Sequence, residues 1–146
     1  MLQSLVLDYG EIVGLLNMAK IEKFEDLHCW QAARELVKLI YQVCEEGKLL
    51  KDFDTKSQLK RAALSSMNNV AEGFGRSSDK EFIRFLEIAQ SSAMEVRSIT
   101  YVLSDLKYLD DNQINSIREN AEKTKSLTLG LIRYLRSKNN INTLIL

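Results

Sequence analysis

Few residues in this chain are equipped for chemistry: one histidine, His28, two cysteines, Cys29 and Cys44, and a stretch of charged and amide side chains between Arg61 and Arg84. His28 beside Cys29 and Trp30 has the residue types of a metal or nucleophile site. No further ligand, C-x-x-C pair or spaced acidic set completes one, so an interfacial or capping histidine is the plainer reading. The cysteines stand fifteen positions apart, too far to bridge on one helix, which suits a reducing compartment and two core or groove thiols. Metal, cofactor, thiol-redox and Ser/His/Asp chemistry are therefore not expected, and neither is enzymatic activity.

Arg61, Ser65, Asn68 and Glu72 recur at i, i+4, i+7 and i+11, with Asn69 at their border, so on a helix they share one face. That face is either a binding surface of donor, hydroxyl, amides and carboxylate, or a hydrogen-bonded polar face, solvated or set against another subunit. Glu72 lies four residues before Arg76 and can form a local ion pair with it that needs no ligand. As a general base Glu72 lacks a nucleophile, a metal set or a second carboxylate around it. Gly73-Phe74-Gly75 resembles a phosphate loop only superficially, because no strand precedes it and its spacing fits neither nucleotide fingerprint. The expectation is two glycines at positive φ with Phe74 plugging the bundle end.

Arg76, Lys80 and Arg84 follow at i, i+4 and i+8 as a basic ridge. Alternating helix directions bring Lys20, Lys23, Arg133, Arg136 and Lys138 to the same end, where the eight bases face six acids and leave a surplus of two. Repeated around a cyclic oligomer, that surplus would hold RNA or DNA phosphates with little sequence preference. A solvated mixed-charge surface is the alternative.

The elements that must position these residues are helices. The chain has 146 residues, about one domain, with 20 basic and 20 acidic residues, no proline and six glycines. Equal charges exclude a general polyanion-attracting field, and the scarcity of turn residues argues against a many-stranded fold. Leu27, Trp30, Ala33, Val37, Ile40 and Cys44 mark a first helix stopped by Gly47, and a second stripe, Leu36, Leu39 and Val43, suggests a spare face for a partner subunit. A second helix starts near Asp54 or Thr55, with Thr55 and Gln58 at capping-box spacing, and turns Leu59, Ala62, Ala63, Met67 and Val70 inward. Ser78 with Glu81 opens a third, carrying Phe82, Phe85, Leu86, Ala89, Ala93, Val96, Thr100 and Leu103 and ending near Tyr108. Asp110 with Gln113 opens a fourth, carrying Ile114, Ile117, Ala121, Thr124, Thr128, Leu131 and Leu135, with Gly130 marking a close helix approach. Short connections make this an all-α, antiparallel up-down-up-down four-helix bundle over residues 20–138. Residues 139–146 read as a loose tail.

Residues 1–19 read as an N-terminal extension. Asp8 and Glu11 interrupt its apolar run and no basic segment precedes it, which argues against a signal or a membrane span. Residues 1–17 form either a real N-terminal helix or the product of a start assigned too early, with Met18 as the alternative.

The segments FEDLHCWQAARELVKLIYQVCEEGKL, SQLKRAALSSMNNVAEGFGRSSDKEFIRFLEIAQSSAMEV and LIRYLRSK closely resemble the 23S ribosomal RNA intervening-sequence family. Asn69 to Arg76 and Phe82 to Leu86 are the most specific part. Met67-Asn68 replaces the Pro-Ser common in members, and His28-Cys29 replaces a small apolar pair. The resemblance implies a cytoplasmic bacterial four-helix bundle that forms a cyclic homopentamer with no established enzymatic activity. It further implies a partner in RNA or in a nucleic-acid enzyme such as the reverse transcriptase of diversity-generating retroelements. On this reading Arg76, Lys80, Arg84, Arg133 and Arg136 are the phosphate contacts. Arg61, Ser65, Asn69, Glu72 and Arg76 are then a structural or interface cluster. The other reading is a protein-binding module with no nucleic-acid contact.

Overall fold

The computed structural model describes the backbone of residues 21–145 and the side chains of 21–140 and 143. The expectations for residues 1–19 lie outside the described residues. Four helices carry the fold, and no strand occurs among the described residues: α1 (His28–Val43), α2 (Phe53–Phe74), α3 (Asp79–Asp105) and α4 (Asp111–Ile145). Short 3-10 turns, Phe24–Asp26 and Leu49–Lys51, precede α1 and α2. Consecutive helices pack together and α1 also packs on α4. Side chains join 58 to 95 and 65 to 92 between α2 and α3, and 87 to 136, 97 to 122 and 100 to 118 between α3 and α4.

Two apolar clusters fill the interior. One holds Leu36, Ile40, Leu59, Ala63, Val96 and Ile117; the other holds Leu27, Val70, Leu86, Ile132 and Leu135. Between them, by position along the helices, Ser66, Thr124 and Thr128 are fully buried. Each hydroxyl donates to a carbonyl of its own helix, Ser66 to Ala63 at 2.7 Å, Thr124 to Asn120 at 2.9 Å and Thr128 to Thr124 at 2.7 Å. A buried polar layer is thereby tolerated chiefly through hydrogen bonds within its own helices, with Thr128 also reaching Cys29 of α1.

Ser78 caps α3 by accepting from the Glu81 backbone N–H at 3.2 Å, as the spacing indicates. Asp110 and Gln113 cap α4 reciprocally, at 2.8 and 3.1 Å. At α2 the expected cap is displaced. Asp52 accepts from the Thr55 N–H at 3.0 Å and from its hydroxyl at 2.9 Å, so the helix starts at Phe53, and Thr55 is the donor rather than the cap. The end of α3 is a Schellman turn. Tyr108 N–H reaches Leu103 O and Lys107 N–H reaches Ser104 O, with Lys107 at φ 54°.

Other expectations are corrected. Leu36 and Val43 of the supposed spare stripe of α1 are buried in this chain's own core, so only Leu39 of that stripe is left half-buried. In α2 the buried position is Ser66, with Met67 half-buried beside it. Gly130 is exposed and, among the described residues, a Cβ there would meet nothing within 4 Å, so no described helix approaches it. Positive φ belongs to Gly47, at 53°, and not to Gly73 or Gly75. Residues 139–145 continue α4, since no glycine or proline follows Gly130 to interrupt it. Among the described residues no helix is long and apolar enough to cross a membrane.

Candidate nucleic-acid interface

The end of α2, the start of α3 and the C-terminal part of α4 meet around a cleft lined by Phe74, Arg76, Ser78, Phe82, Tyr134 and Lys138. Gly73 makes this meeting close. A Cβ on it would lie 2.7 Å from Phe85 Cβ and 2.8 Å from Phe82 Cδ2, so α3 packs where a side chain would stand. Phe74 then meets Phe82 edge-on, with ring centres 6.0 Å apart, consistent with a plug at the bundle end.

On this frame the guanidinium carbons of Arg76 and Arg84 lie 4.8 and 5.3 Å from the centre of the same Phe85 ring. Cation–π contact holds both charges at one place on the surface. Arg76 also donates to Glu72 at 2.6 Å, the expected local pair. Arg136 pairs with Glu87 at 2.7 Å and Lys138 with Asp79 at 3.2 Å. Glu87 was missed as a counter-ion in the sequence because its partner lies 49 positions away. It lowers the surplus of two by one. Among the described residues Lys80, Arg84 and Arg133 have no acidic partner, and all three are exposed. Lys20 lies outside the described residues.

The three counter-ions do not close the surface. Each pair is solvent-exposed, worth at most about 1 kcal/mol, and a phosphate offered to Arg76 or Arg136 replaces a carboxylate at little cost. The end of the bundle is thus a set of positioned cations with weak internal partners.

The polar set of α2 divides. Ser65 Oγ lies 2.8 Å from Ser92 Oγ of α3, and Asn69 Nδ2 donates to Ser65 O and Oγ at 2.8 and 3.1 Å. Ser92 also donates to Ile88 O at 2.9 Å. Ser65 and Asn69 therefore belong to a seam inside the chain, while Glu72 and Arg76 belong to the basic end. Arg61 and Asn68 are exposed and make no hydrogen bond among the described residues. Ser92 was legible only as a hydroxyl one turn from Ala89 and Val96 on the inward stripe.

His28 is exposed at the first position of α1, and Cys29 is buried beside it. Burial pushes the Cys29 thiol up to about 12, against hydrogen bonds from the Trp30 and Cys29 backbone and the Thr128 side chain. A thiol so held is a core group and a poor nucleophile. No cluster of three or more metal-ligating side chains occurs among the described residues.

Four helices with a set of cations gathered at one end define an all-α class of protein. The chain matches the 23S rRNA-intervening sequence protein family over residues 25–130 and belongs to it. A similar solved structure is that of a protein of unknown function from the S23 ribosomal protein family of Bacteroides thetaiotaomicron. The two chains share 23% identity with a TM-score of 0.65, over 71% of this chain and 97% of that one, a likeness of fold. No curated protein matches the chain.

Proposed function

We propose that this protein is a non-enzymatic, cytoplasmic scaffold that holds RNA through phosphate contacts from Arg76, Lys80, Arg84, Arg133 and Arg136. One observation carries the reading: Arg76 and Arg84 share the Phe85 ring, beside Lys80, which no acid neutralises. Guanidinium groups already ordered in the free protein lose little further freedom on meeting a phosphate. The family's description, which names an rRNA intervening sequence, supports RNA as the polyanion.

The helices run up-down-up-down, in keeping with side-chain pairs whose numbers rise on one helix as they fall on the next. Copies of the bundle assemble into a closed ring, the homopentamer of the family resemblance. Tyr41, Leu50 and Phe53, the last 72% exposed, provide apolar surface for that assembly. A ring repeats the cationic end and strengthens its field.

The test is fluorescence anisotropy of a labelled RNA oligomer at low salt. Changing Arg76, Lys80 and Arg84 together to Glu is expected to weaken binding by roughly tenfold or more. Equal binding by the triple variant removes the site. Light scattering on the same samples is expected to show an oligomer. If Glu72→Ala lowers that mass while no form binds RNA, the alternative of a protein-binding module replaces this reading.

A further inference from the structure

Arg118 of α4 is fixed in place without a counter-ion. Its Nε donates to Thr100 Oγ1 of α3 at 2.8 Å, and its guanidinium carbon lies 4.0 Å from the centre of the Tyr101 ring. Thr100 is fully buried and its hydroxyl donates to Arg97 O at 2.6 Å, so the acceptor that positions Arg118 is itself fixed. The neighbouring cations are engaged: Arg97 and Lys125 share Glu122, at 2.8 and 3.2 Å. Among the described residues Arg118 takes part in no ion pair. A guanidinium held at Nε and set over a ring keeps its terminal N–H groups for another acceptor, in the planar fork that suits an oxyanion.

The surroundings say which oxyanion. Tyr101 is 55% exposed, Val102 beside it on α3 is 45% exposed, and Leu106, just past the end of α3, is 48% exposed. Tyrosine and arginine are enriched at protein–protein hot spots, and the exposed aliphatic side chains beside them add apolar contact area. A nucleic-acid strand, charged at every phosphate, would instead meet Glu119 next to Arg118, Glu122 one turn along α4 and Asp105 one turn beyond Tyr101. The face accepts one negative charge among apolar groups, not a row of them.

We propose that the α3–α4 face around Tyr101 and Arg118 docks a protein partner. The partner places an Asp or Glu carboxylate on Arg118 and an apolar side chain against Tyr101, Val102 and Leu106. This surface is separate from the Arg76–Arg84 end, and failure of RNA binding at that end leaves it untouched.

The test uses the full chain to select binders from a displayed library of random short peptides, then measures their affinity by calorimetry. Enriched peptides are expected to carry Asp or Glu flanked by Leu, Ile, Val or Phe. Arg118→Met, or Gln in place of the peptide's carboxylate, is expected to weaken binding roughly tenfold or more, while the Glu triple variant of Arg76, Lys80 and Arg84 leaves it unchanged. If Arg118→Met lowers the melting temperature, Arg118→Lys, which keeps the charge and loses the fork, is expected to weaken binding as well. The proposal is overturned by a selection that returns no binder or no acidic enrichment, or by peptides that bind a folded Arg118 variant equally well. It is also overturned if RNA affinity falls in the Arg118 variant and is unmoved in the triple variant, because the face would then belong to nucleic acid.

Discussion

At Gly73 an added methyl has nowhere to go, because Phe85 Cβ and Phe82 Cδ2 already occupy its shell at 2.7 and 2.8 Å. Gly73→Ala is therefore expected to destabilise the protein by about 1 kcal/mol. Overpacking costs roughly 1–3 kcal/mol, against the nearly 1 kcal/mol that alanine gains over glycine in a helix. Gly130→Ala, with open space around it, keeps that gain and should stabilise by about 0.5–1 kcal/mol. Urea denaturation of the two variants measures both signs. The Asp52 carboxyl is held below its ordinary 3.8, first by the Thr55 backbone N–H, then by the Thr55 hydroxyl, with Tyr108 adding a third bond at 3.2 Å. A depressed folded-state pKa contributes stability above the unfolded value, and that contribution disappears as the pH falls below 3.8. Tyr108 has the opposite sign: desolvation and then Asp52 raise it above 10.0, so its contribution is present below that value and is lost as the pH rises past it. In Asp52→Ala the acid-side loss of stability should shrink, as read from melting curves at pH values on either side of 3.8.

At the scale of the element, helix ends were readable where one side chain accounts for the cap and unreadable where it does not. Ser78 and Asp110 stand at the right spacing from Glu81 and Gln113, and both caps form. The start of α2 was misplaced because Asp52, Asp54 and Thr55 all suit a cap. The choice falls to Asp52, whose carboxylate takes both Thr55 donors and the distant Tyr108 hydroxyl. The end of α3 was legible only approximately, since its left-handed residue is Lys107, not a glycine. For α1 the breadth of the apolar face was visible, but not that Leu36 and Val43 fit inside one chain. Asp110→Ala removes an acceptor from the α4 N-terminus and should cost about 1 kcal/mol, measurable by urea titration at neutral pH. Ser78→Ala should cost a similar amount.

At the scale of the whole molecule, the proposed RNA contact rests on where charge is left over. The chain is neutral, and three of the bases at the α2–α3 end have carboxylate partners in weak, exposed pairs. The ridge of Arg76, Lys80 and Arg84 was legible as a helical period, whereas the shared Phe85 ring and the Glu87 counter-ion depend on packing across helices and were not. The Arg118–Tyr101 cation–π contact joins residues seventeen positions apart on different helices and gave no pattern in the sequence. Salt dependence of RNA affinity tests the cationic end most directly, because each phosphate neutralised on a single strand contributes a slope of about −0.7 to log K against log salt. Changing Lys80 and Arg84 together to Gln should flatten that slope by about 1.4 if both bases contact phosphate. An unchanged slope, with the fold intact, would contradict the assignment of this end to RNA.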